Sequence, residues 1–226
     1  MPKETFLNLP EHKRDRIVEL AIEEFSERPY RQASLSRIVA RAGIAKGSIY
    51  QYFDNKLDLY RWLLTDELAR RKMAAINAAA PPPGTSTFDI LAAACRSGIA
   101  FAIAEPRLAQ LGARFMRDVD GESELQAIAI ANKEAGHAWL KALLQAGQVS
   151  GELSQDLDLD IAAVFIANVL GEGLLELLAY RLGVDFASYI RQPDLTATLS
   201  RSSIDELVES VLTLLKHGLG ARGKNS

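Results

Sequence analysis

The chain has 226 residues, 48% hydrophobic and 24% charged, so it can bury a substantial core, and this composition excludes an intrinsically disordered protein. Its net charge of -3 argues against a generic nucleic-acid coat, and its single cysteine, Cys95, allows neither an internal disulfide nor a paired-cysteine metal site. No apolar signal core follows Met-Pro-Lys-Glu-Thr, and the longest strongly apolar stretch, Ile161 to Leu170, is too short for a bilayer, so a cytoplasmic protein with no membrane partner is expected.

In chain order, almost every segment carries helical periodicity. Pro10 to Glu27 places Ile17, Leu20, Ala21 and Phe25 on one face. Ser34 is placed to N-cap a short helix whose Leu35, Ile38 and Val39 face inward. Gly43 follows it, where a left-handed conformation favours glycine. A second short helix is expected from about Ala45 to Tyr52, and a longer one from Lys56 into the alanine-rich stretch ending at Ala80.

Pro81-Pro82-Pro83-Gly84 interrupts the pattern, because consecutive prolines cannot continue a helix. Ser86 and Asp89 then suggest a capping box for a helix to about Glu105, and Pro106 suits the first turn of the next. Gly121 and Ser123 open a long helix to about Gln148, and another is expected from Asp158 to Leu182. Beyond the loop at Pro193, Ser203 and Glu206 suggest a second capping box for a last helix ending near Gly218, and Gly220 to Ser226 should fray. No alternating β-branched run suggests a sheet.

The charge is unevenly placed. Arg28 to Arg61 holds seven basic residues against Asp54 and Asp58, a local charge of +5 that leaves -8 for the rest. A basic island in an acidic chain is the electrostatic footprint of a small DNA-binding module.

Two short helices joined by a glycine turn, the second opening with a lysine, form a helix-turn-helix pattern whose second helix enters the major groove. Lys46 lies in the first turn of that helix, within reach of a base edge or a phosphate. Gly47 adds no bulk, so backbone and DNA can approach closely. Ser48 offers a small hydroxyl, and Tyr50 and Tyr52 offer phenols suited to phosphate. Ile49 and Phe53 face inward. Lys56 is expected to turn a charge toward the DNA backbone, and the N-terminus of the Ser34 helix favours phosphate.

Residues 13 to 60 resemble the N-terminal domain of the TetR family of bacterial transcriptional regulators. The matching residues are Ile17, Ala21, Phe25, Ser34-Leu35, Ile38, Ala42-Gly43-Ile44, Lys46-Gly47-Ser48-Ile49-Tyr50, Tyr52-Phe53, Lys56 and Leu59. The resemblance implies an all-α fold, with a three-helix helix-turn-helix domain over residues 1–55 joined to a larger helical effector-binding and dimerisation domain over 56–226. It implies a homodimer on a palindromic double-stranded operator, a small-molecule effector, and dimerisation through the last two long helices. Three positions depart from the family pattern. Arg28-Pro29-Tyr30 replaces a glycine before an aromatic residue, Ala45 replaces a capping Ser or Thr, and Arg37 replaces an acid, as an extra phosphate contact or a plain surface charge.

The expected DNA contacts are therefore Ser34, Arg37, Lys46, Gly47, Ser48, Tyr50, Tyr52 and Lys56. Candidate pocket residues are Trp62, Phe101, Phe115, Met116, His137, Trp139 and Phe165, each of which serves a core equally well. The apolar stripes containing Phe165, Val169, Leu174, Leu178, Leu207, Val211 and Leu214 suit a four-helix dimer interface or an intramolecular core. Gly171 and Gly173 would allow close helix approach in such a bundle. No cofactor, metal site or catalytic residue is expected. His12, His137 and His217 are scattered, and no nucleophile triad or phosphate loop is present. The competing readings are a helical adaptor or small-molecule carrier without DNA binding, or an activator of the same fold.

Overall fold

The computed structural model describes residues 1–119, 123–185, 188–189, 192, 195 and 198–219. The regular elements among them are helices. Gly121, Pro193 and Gly220 to Ser226 lie outside the described residues. The chain divides into two compact units, residues 1–73 with 105–129, and residues 74–104 with 130–226.

The first unit opens with α1 (Glu4–Leu7), α2 (Glu11–Glu27), α3 (Leu35–Ala42) and α4 (Ile49–Tyr52). The apolar face of α2 is buried as its spacing requires, through Ile17, Leu20, Ala21 and Phe25. It packs on α3 and on α8 (Pro106–Asp118), where Pro106 occupies the first turn as expected.

The Arg28-Pro29-Tyr30 substitution has a local solution. A residue before proline is pushed toward extended backbone, and Arg28 ends α2 at φ -126°, ψ 141°. The Pro29 carbonyl then accepts the N–H groups of Gln32 and Ala33 at 2.9 and 3.0 Å. Tyr30 is turned inward, with its ring stacked against those of Phe25 and Tyr60.

The helix opening at Lys56 is not uniform. α5 (Lys56–Trp62) passes through a widened π turn at Leu63–Glu67 into α6 (Leu68–Ala78). Leu63, Leu64 and Glu67 of that turn are all buried. Glu67 is paired with Arg70 and Arg71, and Arg71 also reaches Glu19 of α2 and Glu105 before α8.

The second unit contains α7 (Thr87–Ala104), the larger part of α9 (Ser123–Val149), α10 (Leu159–Asn168), α11 (Leu174–Arg181) and α12 (Arg201–Leu219). The Ser86 and Asp89 cap forms, since the Asp89 N–H donates to Ser86 Oγ at 3.1 Å while that hydroxyl donates to Asp89 Oδ2 at 2.7 Å. α7 is long and apolar enough to cross a membrane by length and composition alone. Its Leu91, Cys95 and Ile99 are buried, and it packs against α11 and α12 as a core helix.

The expected helix from Asp158 to Leu182 is broken. Asp158 caps α10 by accepting from the N–H groups of Asp160 and Ile161, but a π turn at Val169–Gly173 separates α10 from α11, with Gly171 at φ -90°, ψ -114°. A Cβ on Gly173 would lie 2.7 Å from the Asn168 carbonyl oxygen, whereas one on Gly171 would meet nothing. Gly173 therefore accommodates the break in its own chain. The last helix is capped by Ser200, whose Oγ accepts the Ser203 N–H at 3.1 Å, in place of the expected Ser203 and Glu206 box.

Candidate nucleic-acid interface

The turn into the reading helix is built on Gly43. It lies at φ 69° and closes a two-bond C-cap, with its own N–H on the Ala40 carbonyl and the Ile44 N–H on the Val39 carbonyl. Ala45 to Ser48 then form tight turns, with Ser48 N–H on Ala45 O at 2.9 Å and Tyr50 N–H on Gly47 O at 3.2 Å. The α-helix proper begins only at Ile49, four residues later than expected. Ala45 has no side-chain acceptor to cap a first turn, and Gly47 is a poor helix former, so regular helix starts beyond both.

Ile49 and Phe53 are fully buried and fix the helix on its support. Opposite them, Lys46, Gly47, Tyr50 and Gln51 are exposed, with Ser48 and Tyr52 half-buried. Tyr50 is 53% exposed. A Cβ added to Gly47 would meet no atom within 4 Å, and its backbone does not adopt a positive φ. Neither packing nor conformation within this chain requires glycine there.

Three expected DNA contacts are tied into the unit. The Arg37 guanidinium meets the Glu24 carboxylate through Nε at 2.9 and 3.2 Å and reaches the Gln32 carbonyl at 2.6 Å. Ser34 makes no side-chain cap; its backbone N–H donates to the same Glu24 carboxylate at 2.9 Å. Glu24 thus takes the N–H of the residue that precedes α3. Burial works to raise the Glu24 carboxyl, but hydrogen bonds from Arg37 and the Ser34 N–H, with the charges of Arg37 and Arg28, hold it below its ordinary range. Lys56 donates to the carbonyls of Tyr30, Ala33 and Arg31 at 2.7, 3.1 and 3.4 Å and sits over the Tyr30 ring. Its ammonium is thus directed at the carbonyls of the Tyr30 turn.

One element was not legible beforehand. The N-terminal segment folds onto the far end of α4, with the Lys3 N–H on Tyr52 O at 2.8 Å and Phe6 buried among Tyr52, Phe53 and Trp62. The sequence signal was a lone aromatic in a polar N-terminal stretch.

Of the expected pocket residues, Trp62, Phe115 and Met116 belong to the first unit, and Phe101, His137, Trp139 and Phe165 to the second. Trp62 is spent in the Phe6 cluster, and Phe115 meets Tyr60 edge to face. Trp139 and Phe165 are at least half exposed. Burial pushes the Cys95 thiol up to about 11 against the opposing charge of Arg96, so it is no thiolate sensor at neutral pH.

Of the residues expected at a dimer interface, Leu174, Leu178, Leu207 and Val211 are buried within one chain, and Val169 is half-buried. Phe165 and Leu214 are 58% and 75% exposed, and Ile161, Val164 and Tyr180 join them as large exposed apolar side chains of the second unit.

Residues 17–62 match the family of bacterial regulatory proteins named for TetR. A TetR family transcriptional regulator from Chloroflexus aurantiacus J-10-FL is 35% identical, covering 98% of this chain and 100% of its own, with a TM-score of 0.77. The chain belongs to the TetR family. It is a DNA-binding transcriptional regulator. The HTH-type transcriptional repressor KstR2 of Mycolicibacterium smegmatis is 27% identical over 165 residues, 70% of this chain and 75% of that protein. The fold is shared with the transcriptional regulator FadR from Bacillus subtilis in complex with stearoyl-CoA, at 21% identity, 86% and 97% coverage and a TM-score of 0.63.

Proposed function

We propose that this TetR-family regulator is a cytoplasmic homodimeric repressor that reads a palindromic operator through residues 46–52 and is released by a small-molecule effector. Gly47 carries the assignment of the reading face. It is a glycine that the protein's own packing and backbone do not need, beside an exposed lysine and an exposed tyrosine. Lys46, Ser48 and Tyr50 meet the DNA, with Tyr52 at the edge of the contact. Ser34, Arg37 and Lys56 hold the frame that presents them.

The exposed apolar residues of α10 and α12, Ile161, Val164, Phe165 and Leu214, support self-association. A dimer would set two reading helices about one DNA turn apart, roughly 34–36 Å. An effector that binds better to a conformer with another spacing lowers operator affinity by that difference. A sequence relative named a repressor, and a solved structure of the same fold seen with stearoyl-CoA, support this reading.

Selection from random double-stranded DNA, followed by size measurement of the complex, tests the reading. A palindromic consensus bound by two chains is expected. Enrichment of no sequence at low salt would refute it in favour of a helical carrier. Selection of a site followed by increased transcription from it would establish an activator.

A further inference from the structure

α4 has only four residues, and its first turn lacks a side-chain cap. A helix this short leaves its last four carbonyls without partners in the helix itself. Here the Ile49 carbonyl accepts the Phe53 N–H at 2.9 Å. Each of the other three is taken by the segment before α2. Lys3 Nζ donates to the Tyr50 carbonyl at 2.9 Å, Thr5 Oγ1 donates to the Gln51 carbonyl, and the Lys3 backbone N–H donates to the Tyr52 carbonyl at 2.8 Å. Lys3 is fixed from the other side by Asp54, 2.7 Å away. Phe6, with no exposed surface, anchors the segment; its ring centroid lies 4.9 Å from that of Phe53 and 5.7 Å from that of Tyr52.

We propose that residues 3–6 are a brace for DNA reading, in which Lys3 and Thr5 complete the C-terminal end of α4 and Phe6 sets the direction of the Tyr52 ring. They are positioning residues, acting on the operator through α4. The inference rests on the assignment of α4 as the reading element. The physical reason for a brace is that both ends of α4 are weak in isolation. Its entry has no side-chain cap bond, and its exit would expose three carbonyls. Tying the exit to a segment anchored in the aromatic core lets four residues hold one orientation before DNA arrives, so less ordering is left to the binding step.

The test compares the full-length protein with Lys3→Met/Thr5→Val, which keeps the stems and removes both side-chain donors, and with Phe6→Leu. Amide hydrogen exchange without DNA reads the brace directly. Exchange at Tyr50 to Phe53 should quicken about tenfold in the double variant, the size expected from loss of a helix cap, with exchange in α2 unchanged. Affinity for the selected operator should fall by a similar factor, about tenfold, with the salt dependence unchanged, because no phosphate contact is lost. Phe6→Leu should weaken operator binding in the same way and is the second readout if the double variant folds poorly. Unchanged exchange at Tyr50 to Phe53 overturns the brace whatever the DNA result. Faster exchange with wild-type affinity overturns its part in reading. A salt slope lowered by about one, with exchange unchanged, makes Lys3 a direct phosphate ligand and overturns the proposal too. If wild type enriches no operator, the reading assignment fails and this inference with it, and the exchange data separate that failure from failure of the brace.

Discussion

Arg37 Nε lies 2.9 Å from Glu24 Oε1 and 3.2 Å from Oε2, joining α3 to α2 through a carboxylate that is 2% exposed. Arg37 stands where the family usually has an acid, and the structure gives it a partner buried on the preceding helix. The same carboxylate takes the Ser34 N–H. One carboxylate on α2 therefore binds both the residue that starts α3 and a side chain from its first turn.

Glu24→Gln should destabilise the protein by about 2–3 kcal/mol at pH 7, the range for hydrogen bonds to a buried charged group. The sign with pH follows from the lowered Glu24 carboxyl. Its contribution is fully present above the unfolded carboxylate range and is lost as pH falls through the lower folded value. The difference in unfolding free energy between wild type and Glu24→Gln should thus be constant from pH 7 to about 5 and shrink below about pH 4.5. A gap that persists undiminished to pH 2 would contradict the pairing.

Lys46 and Lys56 should separate cleanly in DNA binding. Lys46 is exposed in the turn entering α4, whereas Lys56 donates to three carbonyls of the Tyr30 turn. Lys46→Ala should weaken operator binding, lower the slope of log affinity against log salt by about one, and leave thermal unfolding unchanged.

Lys56→Met retains the apolar stem and removes the ammonium. Three carbonyls lose their shared donor, so stability should fall by about 1–3 kcal/mol, and the salt slope of operator binding should not change. A lowered salt slope with unaltered unfolding would return Lys56 to the DNA.

The difference between these lysines marks how far the sequence could be read. Ile17, Phe25, Ile49 and Phe53 were legible as inward residues, because helical spacing determines which side chains share a face. Gly43 was legible because its left-handed turn needs glycine. Partners distant in sequence were not. Nothing near Lys56 indicates that the carbonyls some 25 residues earlier would take its charge. Lys3 and Thr5 reach carbonyls 46 or 47 residues later, contacts that only the folded chain creates. The apolar stripes left core and interface open for a related reason. Leu174 and Leu207 are buried within one chain, while Phe165 and Leu214 remain outside, and periodicity cannot divide a stripe between core and interface.

Phe165→Glu with Leu214→Glu tests that division. Both side chains are more than half exposed, so charge placed there costs the folded chain little. If α10 and α12 pair with a second copy, the double variant should run as a monomer, with thermal unfolding made independent of protein concentration. Operator affinity should fall by at least tenfold, because two half-sites are no longer held together. A double variant that stays dimeric would place the interface elsewhere.

Gly47→Ala gives the sharpest discrimination, because stability and function should move in opposite directions. The added methyl would meet no atom within 4 Å, and no positive φ opposes it. Alanine at a compatible φ reduces the freedom of the unfolded chain, so in solution the variant should be as stable as wild type or more so by up to about 1 kcal/mol. At the DNA the same methyl lies between Lys46 and Ser48 on the exposed side of the entry turn. If the backbone there approaches the bases or a phosphate closely, the methyl must displace it, and operator affinity should fall about tenfold or more, equivalent to about 1.4 kcal/mol. Thermal unfolding and operator titration on the same preparation provide both numbers. Unchanged affinity would mean that the DNA leaves room at this position, and the reading face would have to be sought on another part of the exposed surface.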